Sequence, residues 1–414
     1  MINEKAFPRY AEYDPVVPVW CVTPNAGGCI HRFFDTSPIS PSGRYLALTR
    51  MPREDRLNLP GERASIVIVD LQTGTEREVA ETCGWEPQLG ANINWGSDDN
   101  ALFYNDVDDK TWEPFIVKFD IFTGKKERLE GSIYRISPDG KSIISASAIR
   151  MRRTQDGYGV RVPDELVPRN FGLRDDDGLY MTDAETGKQK LLVSIRDVFE
   201  KAQPSIPLDP YETMGECYGF HCKFNPQGDR LLFTMRWFHT DLEQPWNMNS
   251  RKLHFWVVTM RPDGSDIRVA VGPEYWRHGG HHINWFPDGE KLSMNLCIDG
   301  DNKMYFVQVN ADGTDMKKII EEIPGSGHPT VHPNGRHILT DSYMHEKVSF
   351  GDGTVPLRWI DLEEKTEQTL VRINVDNPGF QVSKALRVDP HPAWAADNRH
   401  IVFNGFVQGT RRVF

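Results

Sequence analysis

Short runs in which apolar and polar residues alternate recur along the whole chain, each closed by a turn. "PISPSGRYLALTR", "YRISPDGKSIISAS", "HHINWFPDGEKLSMNL" and "GHPTVHPNGRHILTDS" share one grammar: a short strand, a Pro-Asp-Gly-like turn and a second strand with one apolar face. A third strand follows, then a second turn such as "LQTGT", "IFTGK", "AETGK", "RPDGS" or "NADGT", and a fourth strand. Period-2 alternation bounded by Gly-rich turns, with almost no amphipathic helical stretch, predicts all-β structure.

Seven turn anchors can be counted: Pro41, Ser97, Pro138, Pro226, Pro287, Pro333 and Ala396. A four-stranded unit repeated in this way is the blade of a β-propeller. The last unit ends at "RRVF", one strand short, and the N-terminal "PVVPVWCVT" is expected to supply the missing strand. The expectation is a seven-bladed β-propeller, closed by an N-terminal strand in the last blade, as a single domain over 1–414. Closure removes sheet edges that would otherwise template aggregation.

The repeat fixes a register. Five residues before the anchors stand Thr36, Asn92, Ile133, His221, His282, His328 and His391. Four consecutive units thus place histidine at one position, near the start of the innermost strand, and these positions are expected to converge at one mouth of the channel. Neutral imidazole is a common metal ligand, so the expectation is that at least three of His221, His282, His328 and His391 hold one divalent ion, Zn²⁺ or Mn²⁺ first and Ca²⁺ as an alternative. Asp389, Gln381 and Asn284 are candidate oxygen donors. The bland alternative is that the histidines cap strands or satisfy buried backbone groups.

The longest departure from the repeat is "AIRMRRTQDGYGVRVPDELVPRNFGLRDDDG" in the third unit, expected on the histidine face. It carries Arg150, Arg152, Arg153, Tyr158, Arg161, Arg169 and Arg174. A basic loop on a chain of net charge -11 suits an anionic ligand, with Arg153 and Arg169 as binding residues. Trp112, Trp237 and Trp246 lie in other loops assigned to that face and are candidate platforms for sugar rings. Packing between blades is the cheaper reading of the tryptophans.

Composition narrows the classes. The acidic balance argues against nucleic acid and anionic membranes as general partners. The six cysteines contain no CxxC pair, which argues against a disulfide framework or a zinc ribbon. No stretch has the ~18 apolar residues of a membrane helix. The first residues lack a basic start followed by an apolar run, so a cytoplasmic monomer is expected, with a periplasmic or secreted location as the alternative.

"RRTQDGYGV", set in this repeat pattern, resembles the propeller-type polysaccharide lyases, the ulvan lyases and a related lyase of rhamnosyl-glucuronate ends. "GHPTVHPNGRHILTD" and "DPHPAWAAD" are also similar to oligogalacturonate lyase, a metal-dependent propeller. The resemblance implies β-elimination at 4-O-linked uronic acids: a base removes the proton at C5, the 4-O substituent leaves, and a 4,5-unsaturated sugar remains. That carbon acid is weak, so the carboxylate must be neutralised.

In the ulvan-lyase group an arginine follows the tyrosine sixteen residues later, as Arg174 follows Tyr158 here. The resemblance therefore implies Tyr158 as acid/base and Arg174 as carboxylate clamp. The chain departs from that group in having no histidine between His31 and His221, and Asn92 is the residue implied to assist instead. It departs from oligogalacturonate lyase at Leu386 and Asp389, where further metal ligands are expected. The alternative function is a non-catalytic propeller that binds an anionic oligosaccharide or a protein.

Overall fold

The computed structural model describes residues 2–241 and 253–414. The chain forms two compact units. One comprises Met1–Asp109, Val117–Glu127 and Ser326–Phe414, and the other Lys110–Ile116 and Arg128–Gly325.

The strands form antiparallel sheets of four consecutive segments, the blades of an all-β propeller fold. Blade 1 is Cys29–Ile30, Tyr45–Arg50, Ala64–Asp70 and Thr75–Thr82. Blade 2 is Asn94–Trp95, Ala101–Val107, Pro114–Asp120 and Lys126–Glu130. Blade 3 is Arg135–Ile136, Ser142–Ser145, Gly178–Asp183 and Gln189–Ser194. Blade 4 is Gly215–Phe224, Leu231–His239, Leu253–Met260 and Arg268–Val271. Blade 5 is Gly280–Trp285, Lys291–Leu296, Tyr305–Asn310 and Lys317–Ile320. Blade 6 is Thr330–Val331, His337–Thr340, Thr354–Asp361 and Thr366–Asn374.

The blade count differs from expectation: the described residues form six four-stranded blades, not seven. The seventh repeat forms two two-stranded hairpins, Ala393–Trp394 with Ile401–Val402 and Asn404–Val407 with Thr410–Val413. The N-terminal segment meets the second hairpin through a backbone bond from Val22 to Val413 (2.9 Å), not through a ladder. Prolines explain this. Pro15, Pro18 and Pro24 lack the N–H that a continuous ladder needs, so the segment pairs only in isolated bonds.

The repeated turn is as the sequence implies. Two residues after the anchor the backbone is left-handed at Gly43, Gly140, Gly228, Gly289, Gly335 and Asn398. In each case that residue's N–H closes on the carbonyl three residues back, as Gly228 does on Asn225 (3.0 Å). Gly tolerates this conformation freely and Asn better than most residues, which is why the turn carries those types.

Each unit has its own core. In one, Leu46, Leu48, Val67 and Val69 of blade 1 pack with Val402 and Val413, and Leu339, Val355, Leu357 and Ile373 pack with Tyr10, Phe403 and Phe414. In the other, Leu232 and Val257 of blade 4 join Leu292, Met294, Val307 and Val309 of blade 5. Burying such side chains stabilises by about 1.5–3 kcal/mol each.

Candidate functional sites

In blades 4 and 5 the common register falls where the inner strand breaks its ladder. The blade 4 ladder skips between Gly219 and Cys222, and the blade 5 ladder between His281 and Asn284. His221 and His282 therefore sit in bulges, which re-aim a side chain out of the pleat. His282, His391 and Asn92 are left-handed, with φ of 60°, 49° and 53°. His328 follows Gly327, itself at φ 63°.

In the first unit His328 and His391 are brought together. Their rings stand 4.3 Å apart, edge to face. With Asp389 they offer three donor atoms that all lie within 4.8 Å of one another, and all three residues are buried. Asp341, wholly buried, orients the pair. It takes the Nδ1–H of His328 at 2.8 Å and the backbone N–H groups of His328 (2.7 Å) and His391 (3.0 Å). With Nδ1 protonated, the lone pair of His328 lies on Nε2. This is the carboxylate–histidine arrangement that sets ligand tautomers at metal sites.

Neither ring nitrogen of His391 makes a hydrogen bond, although the ring is buried. Buried polar atoms are rarely left so. Burial, then the charges of His328, His31 and Arg387, push the His391 pKa well below the ordinary histidine value, so the ring is a neutral donor. His391 Nε2 lies 3.7 Å from Asp389 Oδ2, and Arg387 Nε holds the same oxygen at 2.7 Å. Two imidazoles and one carboxylate suit Mn²⁺, Fe²⁺ or Zn²⁺ better than Ca²⁺, which prefers an all-oxygen shell. Phe33 lies 4.7 Å from the His391 ring and Phe34 5.3 Å from that of His328, so the cluster has an apolar wall.

His31, absent from the expected set, lies beside this cluster. Its ring is 6.4 Å from that of His391, and burial pushes its pKa down to about 4. Asn92 is buried in the same unit and its side-chain oxygen accepts from Arg32 Nε at 3.3 Å. Gln381 lies in the short helix Gly379–Val382.

His221 and His282 belong to the other unit, and each has its own partners there. His282 Nδ1 is 2.8 Å from His281 Nδ1, and Asn295 lies 3.2 Å from the same His281 nitrogen. His221 Nδ1 is hydrogen-bonded to the Tyr134 hydroxyl, and Tyr158 stands edge-on to it at 5.8 Å. Tyr158 is buried against Phe220 (5.0 Å), and Arg236 stacks on the same ring at 3.7 Å. Gly159 makes this placement possible, since a Cβ there would lie 2.6 Å from both the Ala148 carbonyl and the Arg152 nitrogen.

Arg236 is the sequence reading's chief omission. It is buried, donates to Gln155 Oε1 at 2.8 Å, and has no carboxylate partner among the described residues. Burial pushes its pKa down to about 9, against a raising influence from Tyr158 and Tyr134. Its signal in the sequence was slight: an arginine in the apolar strand "LLFTMRWFH".

The other expected residues are placed as follows. Arg174 Nε pairs with Asp176 at 2.8 Å on the surface. Arg169 Nε pairs with Glu216 at 3.0 Å, and Arg153 donates to the Val167 carbonyl at 2.8 Å. Trp237 is buried against Tyr211 and His254, so it packs within its unit instead of offering a face to a sugar. Trp112 is half-buried in a left-handed backbone conformation. Trp246 lies outside the described residues.

No protein-family model matches the chain, and no curated protein matches it in sequence. Solved structures do match. An oligogalacturonate lyase from Vibrio parahaemolyticus is 16% identical with a TM-score of 0.62, over 98% of this chain and 95% of that one. An oligogalacturonate lyase in complex with manganese is 16% identical with a TM-score of 0.63, over 98% of this chain and 94% of that one. The tricorn protease matches with a TM-score of 0.51 and 11% identity, over 94% of this chain but 34% of its own. These likenesses show the fold.

Proposed function

We propose that this protein is a divalent-metal-dependent lyase that cleaves 4-O-linked uronic acid residues of an oligo- or polysaccharide by β-elimination. The observation that supports it best is the buried His328, Asp389 and His391 donor set, on a chain that follows an oligogalacturonate lyase solved with manganese over nearly its whole length. When bound, a divalent ion would supply a fixed positive charge at that donor set.

The rest of the chemistry falls to this chain's side chains. The C5–H bond breaks, its electron pair becomes the C4–C5 double bond, and the C4–O bond breaks with a proton delivered to the leaving oxygen. Tyr158 is the proposed proton acceptor and donor, with His221 and Tyr134 as its neighbours. Arg236, a buried cation without a carboxylate partner among the described residues, is suited to offset the uronate charge. Arg174, nominated by its spacing from Tyr158, is the competing clamp, and Asn92 the proposed neutral donor.

The test is a screen of uronate polymers (ulvan, pectin, glucuronan, gum-arabic fragments) followed by the ultraviolet absorbance of the 4,5-unsaturated product. Activity on one of them that is lost with chelator and restored by Mn²⁺ is the expected result. Binding of a uronate by calorimetry without any unsaturated product from metal-loaded protein overturns the lyase reading and leaves a binding module.

A further inference from the structure

Asp341 is completely buried at the end of the second strand of blade 6, and its side chain accepts from the main chain of both His328 and His391. Its Oδ1 accepts the backbone N–H and the Nδ1–H of His328, and its Oδ2 accepts the backbone N–H of His391. The second contact holds a histidine in a left-handed conformation, φ 49°, which non-glycine residues seldom adopt without support. Gly327 makes room for it: a Cβ at 327 would lie 2.3 Å from Asp341 Oδ1 and 2.2 Å from the Asp341 carbonyl oxygen.

We infer that Asp341 is a positioning residue for the metal donors: it sets the His328 tautomer and fixes the His391 backbone, so that one carboxylate assembles two ligands from separate repeats. The inference rests on the metal reading of the site. Asp341 is not itself proposed as a ligand, because both of its oxygens are already taken by N–H donors. Only a carboxylate accepts on both sides. An amide at this position turns one acceptor into a donor facing an N–H. Loss of such an outer partner typically lowers metal affinity by about 10–100-fold.

The experiment has two arms. Protein labelled with ¹⁵N-histidine reports the His328 tautomer by two-bond N–H correlations, with no metal added. Calorimetric titration with Mn²⁺ reports affinity in wild type and in Asp341→Asn. The expected results are an Nδ1–H tautomer for His328 in wild type, its loss in Asp341→Asn, and Mn²⁺ binding about 10–100-fold weaker in the variant. A wild-type His328 protonated on Nε2 overturns the inference even where the variant fails to fold. So does a folded variant with unchanged tautomer and affinity. If wild type binds no divalent ion but shows the tautomer switch, the metal reading fails while the positioning role stands.

Discussion

The rings of His328 and His391 meet edge to face at 87°, their centroids 4.3 Å apart, with Asp341 joined to the backbone of both. Burial first, and the neighbouring basic groups second, push the His391 pKa well below the ordinary histidine value, so this ring is a neutral donor. That pairing is the basis of the first prediction.

Protein purified without chelator is expected to carry one divalent ion per chain, measured by elemental analysis. His391→Ala removes a neutral donor and abolishes stoichiometric binding. His337→Ala, in the same unit but stacked on Trp359 at 4.6 Å, leaves it unchanged. Equal metal content in the two variants would rule out the His328, Asp389 and His391 set.

Tyr158→Phe keeps the ring contact with Phe220 and loses only the hydroxyl. Turnover of a uronate substrate is expected to fall by ~10²- to 10⁴-fold at an unchanged melting temperature. Full activity in this variant would move the proton transfer to another group, with His221 the nearest.

Arg236→Lys and Arg174→Lys separate the two proposed clamps by steady-state kinetics. Lysine keeps the charge but not the planar fork, so the true clamp loses both binding and turnover. Arg174 already pairs with Asp176 at the surface, so its replacement is expected to change kcat/KM less than that of Arg236. The opposite order would restore Arg174 to the role its spacing suggests.

Acid should destabilise the metal-free protein through His31. Its folded pKa is about 4 against an ordinary 6.5, so the unfolded chain binds the extra proton between those values. Stability is therefore full above pH 6.5, falls as the pH drops toward 4, and falls no further from this group below that. The shift corresponds to roughly 3 kcal/mol. Urea midpoints measured across this range should show the slope in wild type and a shallower one in His31→Gln.

The insertion is anchored by Asp177, a buried carboxylate that takes Arg150 at 3.0 Å, Asn170 at 2.6 Å and the Tyr180 hydroxyl at 3.1 Å. Asp177→Ala strands these donors and should cost about 3 kcal/mol in urea denaturation. Limited proteolysis should then cut first within 148–177. A protease map identical to wild type would show that the insertion is held by other contacts.

Much of this was legible in the sequence, because local physics writes it there. Six of the seven turns place a left-handed residue at a fixed offset, so residues such as Gly43, Gly228 or Asn398 betray those hairpins without any tertiary information. The same offset singled out His328 and His391, and Asp389 stood two residues before His391 as a candidate oxygen donor. The blade count was not legible: seven turn anchors implied seven blades, whereas the last repeat forms two two-stranded hairpins and the proline-bearing N-terminal segment adds no ladder to them. What remained hidden depends on residues far apart in the chain. Asp341 reads as an ordinary strand-end acid until its oxygens are seen between two histidines, one of them fifty residues away. Arg236 reads as a surface charge on a strand until the insertion folds over it and Gln155 meets its guanidinium. Turns and alternation are set by backbone sterics within a few residues, whereas the identity of a carboxylate's or a guanidinium's partners is decided only when separate repeats pack and water is excluded.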